Sequence, residues 1–267
     1  MMVLDSIVMK KREEVLRGRK IRSLAFLEKK IGEAPKSRRF LSDRFSGRMG
    51  GQPLVIAEMK RRSPSRGLIR DPYDPLDLAG RYHKSGAGAL SILTDGPFFG
   101  GSLSDLENVR KSAAGNELPL LRKDFIIDPY QVYESRCAGA DLVLLIVRIL
   151  PQPLLESLIA LVTSLEMTAL VETHLEEEVS RALDAGASLV GINHRDLDTL
   201  EIDLDRGERL ARMVPPHVRK IAESGLKTSE DYRRMQSLGF DGVLVGETFL
   251  AASDPGRALE VFCGALG

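Results

Sequence analysis

The segment "DAGASLVGIN", residues 184–193, joins the end of a predicted helix to a predicted strand. Gly186 suits the left-handed position that closes a helix, and the apolar run after it suits a strand buried on both faces. The same order of helix end, glycine and apolar run recurs in "KSGAGALSIL" at 84–93, "CAGADLVLLI" at 137–146 and "SLGFDGVLVG" at 237–246. This repetition indicates a fold built from helix–strand units.

Four further apolar runs lie between these segments: "PLVIAEMK" from Pro53, "LPLLRKDF" from Leu118, "TALVETH" from Thr168 and "RKIAES" from Arg219. Helical patterns separate the runs. Their predicted starts are three Asp-Pro pairs, at 74–75, 128–129 and 254–255, and two capping boxes, at 104–107 and 173–176.

Alternating strands and helices predict right-handed crossovers and a parallel sheet. Eight such units in residues 51–267 fit a closed (β/α)8 TIM barrel. The alternative is an open doubly wound sheet, which should carry a G-x-G-x-x-G turn after an early strand; the sequence has none.

Residues 1–50 precede the first predicted strand and are predicted to form an N-terminal helical extension packed on the barrel. Five apolar residues there fall near helical spacing: Leu4, Ile7, Val8, Val15 and Leu16. The "KKREE" segment at 10–14 lies on the other face and is expected to be solvated rather than to bind nucleic acid.

Composition excludes several classes of function. Lys+Arg and Asp+Glu are both 38, which gives no indication of a nucleic-acid partner. The apolar runs are shorter than a membrane span needs, and the N-terminus lacks a signal-peptide pattern, so a cytoplasmic protein is expected. Cys137 and Cys263 are expected to be reduced and structural, and the four scattered histidines predict no metal site. A monomer is favoured.

Polar residues gather where the predicted strands end, which is where the active site of such a barrel lies. They are Glu58, Lys60, Lys123, Glu172, Asn193, Arg195, Glu223, Ser224, Gly225 and Gly246. Each alone has an ordinary explanation, such as a structural salt bridge between Glu58 and Lys60. Together on one rim they predict an active site.

The last two units indicate what binds there. "ESGLKT" at 223–228 and "VGET" at 245–248 place glycine beside small hydroxylic residues. Phosphate binds this fold at these two loops through backbone N–H groups. Eight cations on the rim suit an anionic ligand: Lys60, Arg61, Arg62, Arg66, Lys123, Arg148, Arg195 and Lys227. The residues thus predict a sugar-phosphate barrel enzyme that uses lysine and glutamate as acid and base, without a cofactor.

The motifs closely resemble those of the indole-3-glycerol-phosphate synthase family, the ring-closing enzymes of tryptophan biosynthesis. In family order they are "IAEMKRRSPSRG", "SILTDGPFFGGSLSDL", "LLRKDFIIDPYQVYESRCAGAD", "LVETH", "GINHRDL", "AESGLKT" and "VLVGE". "MVLDSIVMKKREEV" is similar to the family's N-terminal helix. The resemblance implies a carboxy-lyase that converts 1-(2-carboxyphenylamino)-1-deoxyribulose 5-phosphate to indole-3-glycerol phosphate, CO2 and water.

The resemblance also implies residue roles. Lys123 matches the general acid and Glu172 the base, while Lys60 would hold substrate anions and assist protonation, oriented by Glu58. The substrate would be positioned by Asn193 and Ser224, its phosphate bound at Arg195, Gly225 and Gly246, its ring flanked by Phe99 and Phe125, and the loop from Ser63 to Gly67 folded over it. Glu247 is expected to point away from the phosphate.

Three rival interpretations remain open from the sequence. One is a lyase or aldolase that forms a Schiff base on Lys123 or Lys60. Another is a neighbouring isomerase of the same pathway, which should bring a cysteine near the end of the first strand, where this chain has Glu58. The third is a barrel that binds a phosphate ligand without catalysis.

Overall fold

Eight parallel strands form a closed barrel, as predicted. The structure is a computed structural model that describes residues 3–45, 52–197 and 199–264. Each strand pairs with its neighbours in the chain, and the first pairs with the last. The strands are β1 (Leu54–Met59), β2 (Ala89–Leu93), β3 (Leu120–Lys123), β4 (Leu142–Ile146), β5 (Thr168–Thr173), β6 (Leu189–Asn193), β7 (Arg219–Glu223) and β8 (Gly242–Val245). All eight predicted runs are strands.

Helices surround the barrel. They are Pro75–Lys84, Leu103–Lys111, Ala113–Glu117, Pro129–Ala138, Gln152–Ser164, Glu176–Asp184, Leu204–Met213, Ser229–Ser237 and Pro255–Phe262, with short turns at Gly96–Phe99, Val147–Ile149 and Glu247–Leu250. Gly86, Gly139, Gly186 and Gly239 all have positive φ, between 71 and 90°. The four repeated segments therefore close their helices through glycine, as predicted.

The predicted helix starts are partly confirmed. Asp74, Asp128 and Asp254 each accept backbone N–H groups at the start of a helix with proline in its first turn. The predictions of capping boxes at 104–107 and 173–176 are wrong. Ser102 caps the helix at Leu103–Lys111, and Thr173, still in β5, donates its hydroxyl to the Gly191 carbonyl instead.

Side chains alternate between the barrel interior and the layer beneath the helices. Ile56 packs in the interior cluster and Val55 in the outer one. Because the side-chain period of a strand is two, Glu58 continues the inward row of Ile56. The same two-residue step leads from Leu121 to Lys123, from Leu170 to Glu172, from Leu189 through Gly191 to Asn193, and from Ile221 to Glu223. The strands thus deliver these polar groups to one end of the barrel interior.

The N-terminal extension folds as helices Val3–Ile21, Leu24–Ile31 and Phe40–Phe45. Leu4, Ile7 and Val15 are buried as predicted. The prediction for Leu16 is wrong, since it is 63% exposed; next to Val15 it is turned 100° around the helix, away from the barrel. The predicted domain boundary at residue 50 lies outside the described residues.

Lys11 overturns the prediction that the "KKREE" segment is fully solvated. Its buried Nζ lies 3.0 Å from Asp95 Oδ2 and 2.8 Å from Asp124 Oδ1, in the segments after β2 and β3. Burial lowers the pKa of Lys11, but the two carboxylates outweigh this and raise it above its ordinary value. A buried cation thus fastens the first helix to the mouth of the barrel.

Replacing Lys11 with methionine is expected to lower the free energy of unfolding by about 3 kcal/mol, because it leaves Asp95 and Asp124 buried without this partner. Urea unfolding measures the change. The matched control is Lys10→Met, which removes an exposed pair with Glu13 and should leave the free energy of unfolding nearly unchanged, because solvent screens such pairs. Equal losses in the two variants would contradict a clamp at Lys11.

Within the described ranges, no helix is long and apolar enough to cross a membrane. Both cysteines are free thiols. Cys137 donates its thiol to the Leu27 carbonyl at 3.3 Å, which links the second helix of the extension to Pro129–Ala138.

Candidate active site

A cavity opens at the carboxyl ends of the strands, and every predicted site residue lines it. These residues are Glu58, Lys60, Ser63, Phe99, Lys123, Phe125, Glu172, Asn193, Arg195, Ser224, Gly225 and Gly246. They come from loops and strands far apart in sequence. The closed barrel brings them together because all strands point the same way.

Lys123 lies between two buried carboxylates on the inner wall. Its Nζ is 3.0 Å from Glu172 Oε2 and 2.7 Å from Glu223 Oε2. Glu223 belongs to the same inward register as Glu172. Sequence reasoning placed Glu223 on the rim but gave it no role in binding or catalysis; its position at the end of β7 was the signal.

These three groups hold unequal charges. Burial lowers the pKa of Lys123, but Glu172 and Glu223 outweigh it and raise the pKa, so the ammonium is retained. Burial also opposes ionisation of Glu172, yet Lys123 and His174 hold its pKa well below the ordinary value. Burial raises the pKa of Glu223, and the charge of Glu172 adds to that against the pull of Lys123. One carboxylate is therefore kept charged while the other binds a proton more readily.

Glu58 and Lys60 form a direct ion pair at the end of β1, which agrees with their two-residue spacing. Burial raises the pKa of Glu58, but Lys60 and Lys123 outweigh it and lower the pKa. Gly246 lies against this pair, because a Cβ there would be 2.7 Å from Glu58 Oε1. Gly246 is thus a steric requirement of the site.

Gly246→Ala is expected to lower kcat about tenfold by displacing Glu58, since a 1 Å displacement can cost about 10²-fold. Steady-state kinetics on the purified variant measures it. Gly80→Ala is the matched control, because a Cβ at Gly80 meets nothing within 4 Å. Normal turnover in Gly246→Ala would show that the Glu58 position is not critical.

Ser224 and Gly225 follow β7 with φ of 65° and 80°. Two successive left-handed residues turn the backbone sharply at the cavity wall, and the Ser224 carbonyl accepts a hydrogen bond from His194 Nδ1 at 3.0 Å. Asn193 Oδ1 accepts from the backbone N–H of Arg195 at 3.0 Å. Residues 193–195 and 224–225 therefore form one braced corner of the cavity.

Glu247 does not point away from this corner, contrary to prediction. It lines the cavity, with Oε1 2.6 Å from Arg66 Nη2 and Oε2 3.6 Å from Arg195 Nη2. The attraction of two arginines from the loops after β1 and β6 accounts for its orientation. Glu247 thus pairs with two arginines that an anionic ligand in this cavity could also contact.

The predicted rim cations divide into two groups. Lys60, Lys123, Arg195 and Lys227 line the cavity. The others do not line it: Arg61 pairs with Asp71, Arg62 donates to the Pro97 carbonyl, Arg148 pairs with Glu178, and Arg66 reaches the cavity only through its pair with Glu247. The charge of the cavity therefore comes from strand ends more than from the β1 loop.

One wall of the cavity is apolar. The Phe99 and Phe125 rings lie 6.0 Å apart at 37°, and Leu4 and Ile7 of the first helix add to the wall. Sequence reasoning placed Leu4 and Ile7 on the packed face of the helix but did not assign them to the site. Helical spacing identifies a buried face without showing that part of it meets a cavity.

The loop after β1 forms a two-stranded hairpin, Arg62–Ser63 with Gly67–Leu68, closed by Gly67 at φ 65°. Ser63 Oγ accepts a hydrogen bond from the Arg66 backbone at 3.2 Å and faces the cavity.

The described residues hold no group of three or more histidine, cysteine or acidic side chains arranged to bind a metal.

Comparison with known proteins agrees with this geometry. The family described as "Indole-3-glycerol phosphate synthase" matches residues 4–262. The enzyme of that name from Parafrankia sp. (strain EAN1pec) is 50% identical over 233 residues, 87% of this chain and 84% of that protein. That from Dehalococcoides mccartyi (strain CBDB1) is 44% identical over 253 residues, 95% and 96% of the two chains.

A solved 3-hexulose-6-phosphate synthase aligns with a TM-score of 0.65, covering 80% of this chain and 100% of that one. At 18% identity this likeness shows the barrel fold alone. The family match across the chain and the relatives carry the assignment: this chain belongs to the indole-3-glycerol phosphate synthase family, carboxy-lyases of tryptophan biosynthesis.

Proposed function

We propose that the residues at this barrel mouth close the indole ring of 1-(2-carboxyphenylamino)-1-deoxyribulose 5-phosphate, with Lys123 as acid and Glu172 as base. The observation that carries the proposal is the position of Lys123, held charged between Glu172 and Glu223 on the cavity wall. Mere binding of an anion does not require two buried carboxylates beside the cation. Proton transfer does, because it needs a donor and an acceptor in reach of the same substrate.

The chemistry follows in two stages. The ring carbon that carries the carboxylate attacks the ketone carbon, and the ketone oxygen takes a proton from Lys123. CO2 then leaves, and its bonding electrons restore the aromatic ring. Glu172 then removes a proton from the carbon beside nitrogen while the new hydroxyl takes a proton from Lys60 and leaves as water, which forms the indole double bond. Glu223, with its raised pKa, stands 2.7 Å from Lys123 as a source of protons for that lysine.

Binding divides between the two sides of the cavity. The backbone at Gly225 and Gly246 holds the phosphate, in the loops after β7 and β8 where this fold binds such groups, and Arg195 from the loop after β6 adds its charge. Phe99 and Phe125 flank the anthranilate ring. Lys60 holds substrate anions and assists protonation, with Glu58 orienting it. Asn193, Ser224 and Ser63 position the sugar, and the 62–68 hairpin lies over it.

The test is steady-state fluorescence of purified protein mixed with this substrate. The chain contains no tryptophan, so indole emission is read over a low background. A rise in indole signal supports the proposal; a flat trace with tight substrate binding contradicts it and favours a barrel that only binds. Borohydride treatment during turnover tests the Schiff-base alternative. A reduced covalent adduct on Lys123 or Lys60 would show that the lysine acts as a nucleophile and would contradict the acid–base mechanism.

A further inference from the structure

A histidine lies directly behind Glu172 and takes no part in the mechanism above. His174 is wholly buried. Its Nε2 is 3.3 Å from Glu172 Oε1, and its Nδ1 is 3.2 Å from Glu178 Oε2. The backbone N–H of His174 also donates to Glu178 Oε2 at 2.6 Å. The imidazole therefore faces a carboxylate at both ring nitrogens.

The contacts continue outward from both carboxylates. Glu172 Oε2 accepts from Lys123 at 3.0 Å, and Glu178 Oε1 accepts from Arg148 Nε at 3.0 Å. Lys123, Glu172, His174, Glu178 and Arg148 thus form one row from the cavity to the helix layer. Cations and anions alternate along the row when the histidine is charged.

Two carboxylates at these distances favour that charge. A neutral imidazole has one N–H donor and one lone pair, and it carries no net charge to offset two carboxylates. An imidazolium donates Nδ1–H to Glu178 and places its positive charge beside Glu172, where Nε2 lies 3.3 Å from Oε1 in an ion-pair contact without an aligned hydrogen bond.

We propose that His174 is a positioning residue that acts through Glu172. As an imidazolium braced by Glu178, it holds Oε1 of Glu172, so that Oε2 faces Lys123 and the cavity. The inference rests on the proposed role of Glu172 as base. It adds a part of the apparatus that lies outside the cavity and touches no substrate.

The charged groups around the imidazole agree with this. Glu172 and Glu178 face it directly, with Lys123 and Arg148 one contact further away. Burial lowers the pKa of His174, but the close contacts and negative charges of Glu172 and Glu178 raise it to about 9. Since the folded pKa lies above the unfolded one of about 6.5, this group stabilises the fold below pH ~6.5 and the contribution is lost as pH rises through about 9.

The first experiment reads the charge directly, by nitrogen-15 NMR of the histidines in the wild-type enzyme at pH 7.5. His194 is the internal control, because it is also wholly buried but donates Nδ1 to a carbonyl and has a lowered pKa, chiefly from burial. The expected spectrum shows His174 as imidazolium and His194 as neutral. A neutral His174 at that pH overturns the proposal.

The second experiment is kinetic. His174→Gln is expected to lower kcat by about 10- to 10²-fold with little change in KM, as a misplaced catalytic group does. The acid limb of the kcat–pH profile should move to higher pH, because Glu172 loses a cation that holds its pKa down. A structural role alone would not move that limb. Unchanged kcat and an unchanged profile overturn the proposal.

A double variant separates the two levels of inference. If His174 acts through Glu172, His174→Gln adds no further loss in a Glu172→Gln background; an additive loss overturns the proposal. Near-normal turnover of Glu172→Gln alone would remove the proposed base itself. A severe Glu172→Gln defect beside a normal His174→Gln enzyme would remove the positioning role and leave the base in place.

The Glu178→Gln variant keeps the imidazole of His174, so it tests the same proposal if His174→Gln does not fold. Removing this carboxylate is expected to lower the pH at which His174 loses its proton, as followed by NMR, and to weaken kcat at high pH first. An unchanged His174 titration in Glu178→Gln contradicts the proposed bracing.

Discussion

Lys123→Met is expected to lower kcat by at least about 10³-fold, within the range that a positioned general acid contributes. Methionine keeps most of the volume but has no proton to give to the ketone oxygen. Indole fluorescence under saturating substrate measures the loss. Lys220→Met is the matched control, because Lys220 is a half-buried lysine that donates to the Ala211 carbonyl away from the cavity.

The same variant should show a pH-dependent loss of stability. In the wild-type protein Lys123 holds the pKa of Glu172 down, so that this carboxylate stabilises the fold above its unfolded pKa and loses its contribution as pH falls. Without the ammonium, Glu172 and Glu223 are two buried carboxylates that have lost the cation they shared, and their pKa values in the folded state rise. Their burial then opposes folding increasingly as pH rises.

Urea unfolding of Lys123→Met against wild type should therefore show a larger deficit at pH 8 than at pH 5. Near-normal turnover would exclude Lys123 as the acid, whatever the stability. A pH-independent deficit would mean that the lysine does not neutralise these two carboxylates. The kinetic and stability results thus test the proton donor and its electrostatic setting separately.

Glu172→Gln is expected to cost at least about 10²-fold in kcat, because glutamine keeps the shape and loses the base. The amide oxygen can still accept from Lys123, and Glu223 remains as a second partner of that lysine, so the fold should persist. Circular dichroism checks that persistence, and steady-state indole release measures the rate. Glu156→Gln, at an exposed position of the helix Gln152–Ser164, is the control.

An unchanged rate in Glu172→Gln would remove this residue from proton transfer. The raised pKa of Glu223 makes that carboxyl the next group to test in the same assay. A loss in kcat with unchanged KM would instead place the Glu172 interaction in the transition state rather than in substrate binding.

The location of much of the site was predictable because all strands of a parallel barrel end at the same mouth. A residue at the end of an apolar run lies at that mouth if it is an even number of positions from the inward-facing residues of its strand. Glu58, Lys123 and Glu172 follow that rule, and so does Glu223, to which the sequence analysis gave no role. Arg148 lies after β4 but turns to Glu178, since a loop residue has no fixed register.

Pairing in three dimensions was not predictable. Lys11 lies in a charged run that is typical of a solvated face, yet it is buried against Asp95 and Asp124. Glu247 was expected to avoid the cavity and instead meets Arg66 and Arg195. In both cases the oppositely charged partners lie in distant segments of the chain. Their attraction becomes strong only when the folded barrel places them within a few ångströms of each other.

The sequence by itself determined the eight-unit barrel, its glycine helix ends, the face on which the chemistry lies and the identity of the acidic and basic groups. These features depend on local sequence patterns, and each pattern lies within one short stretch of the chain. The tertiary structure decided which lysine lies between which glutamates, that the first helix lines the cavity, and that His174 lies against Glu172. Those features depend on distances between strands, because a charge acquires its strength and its pKa from neighbours and burial that no single segment contains.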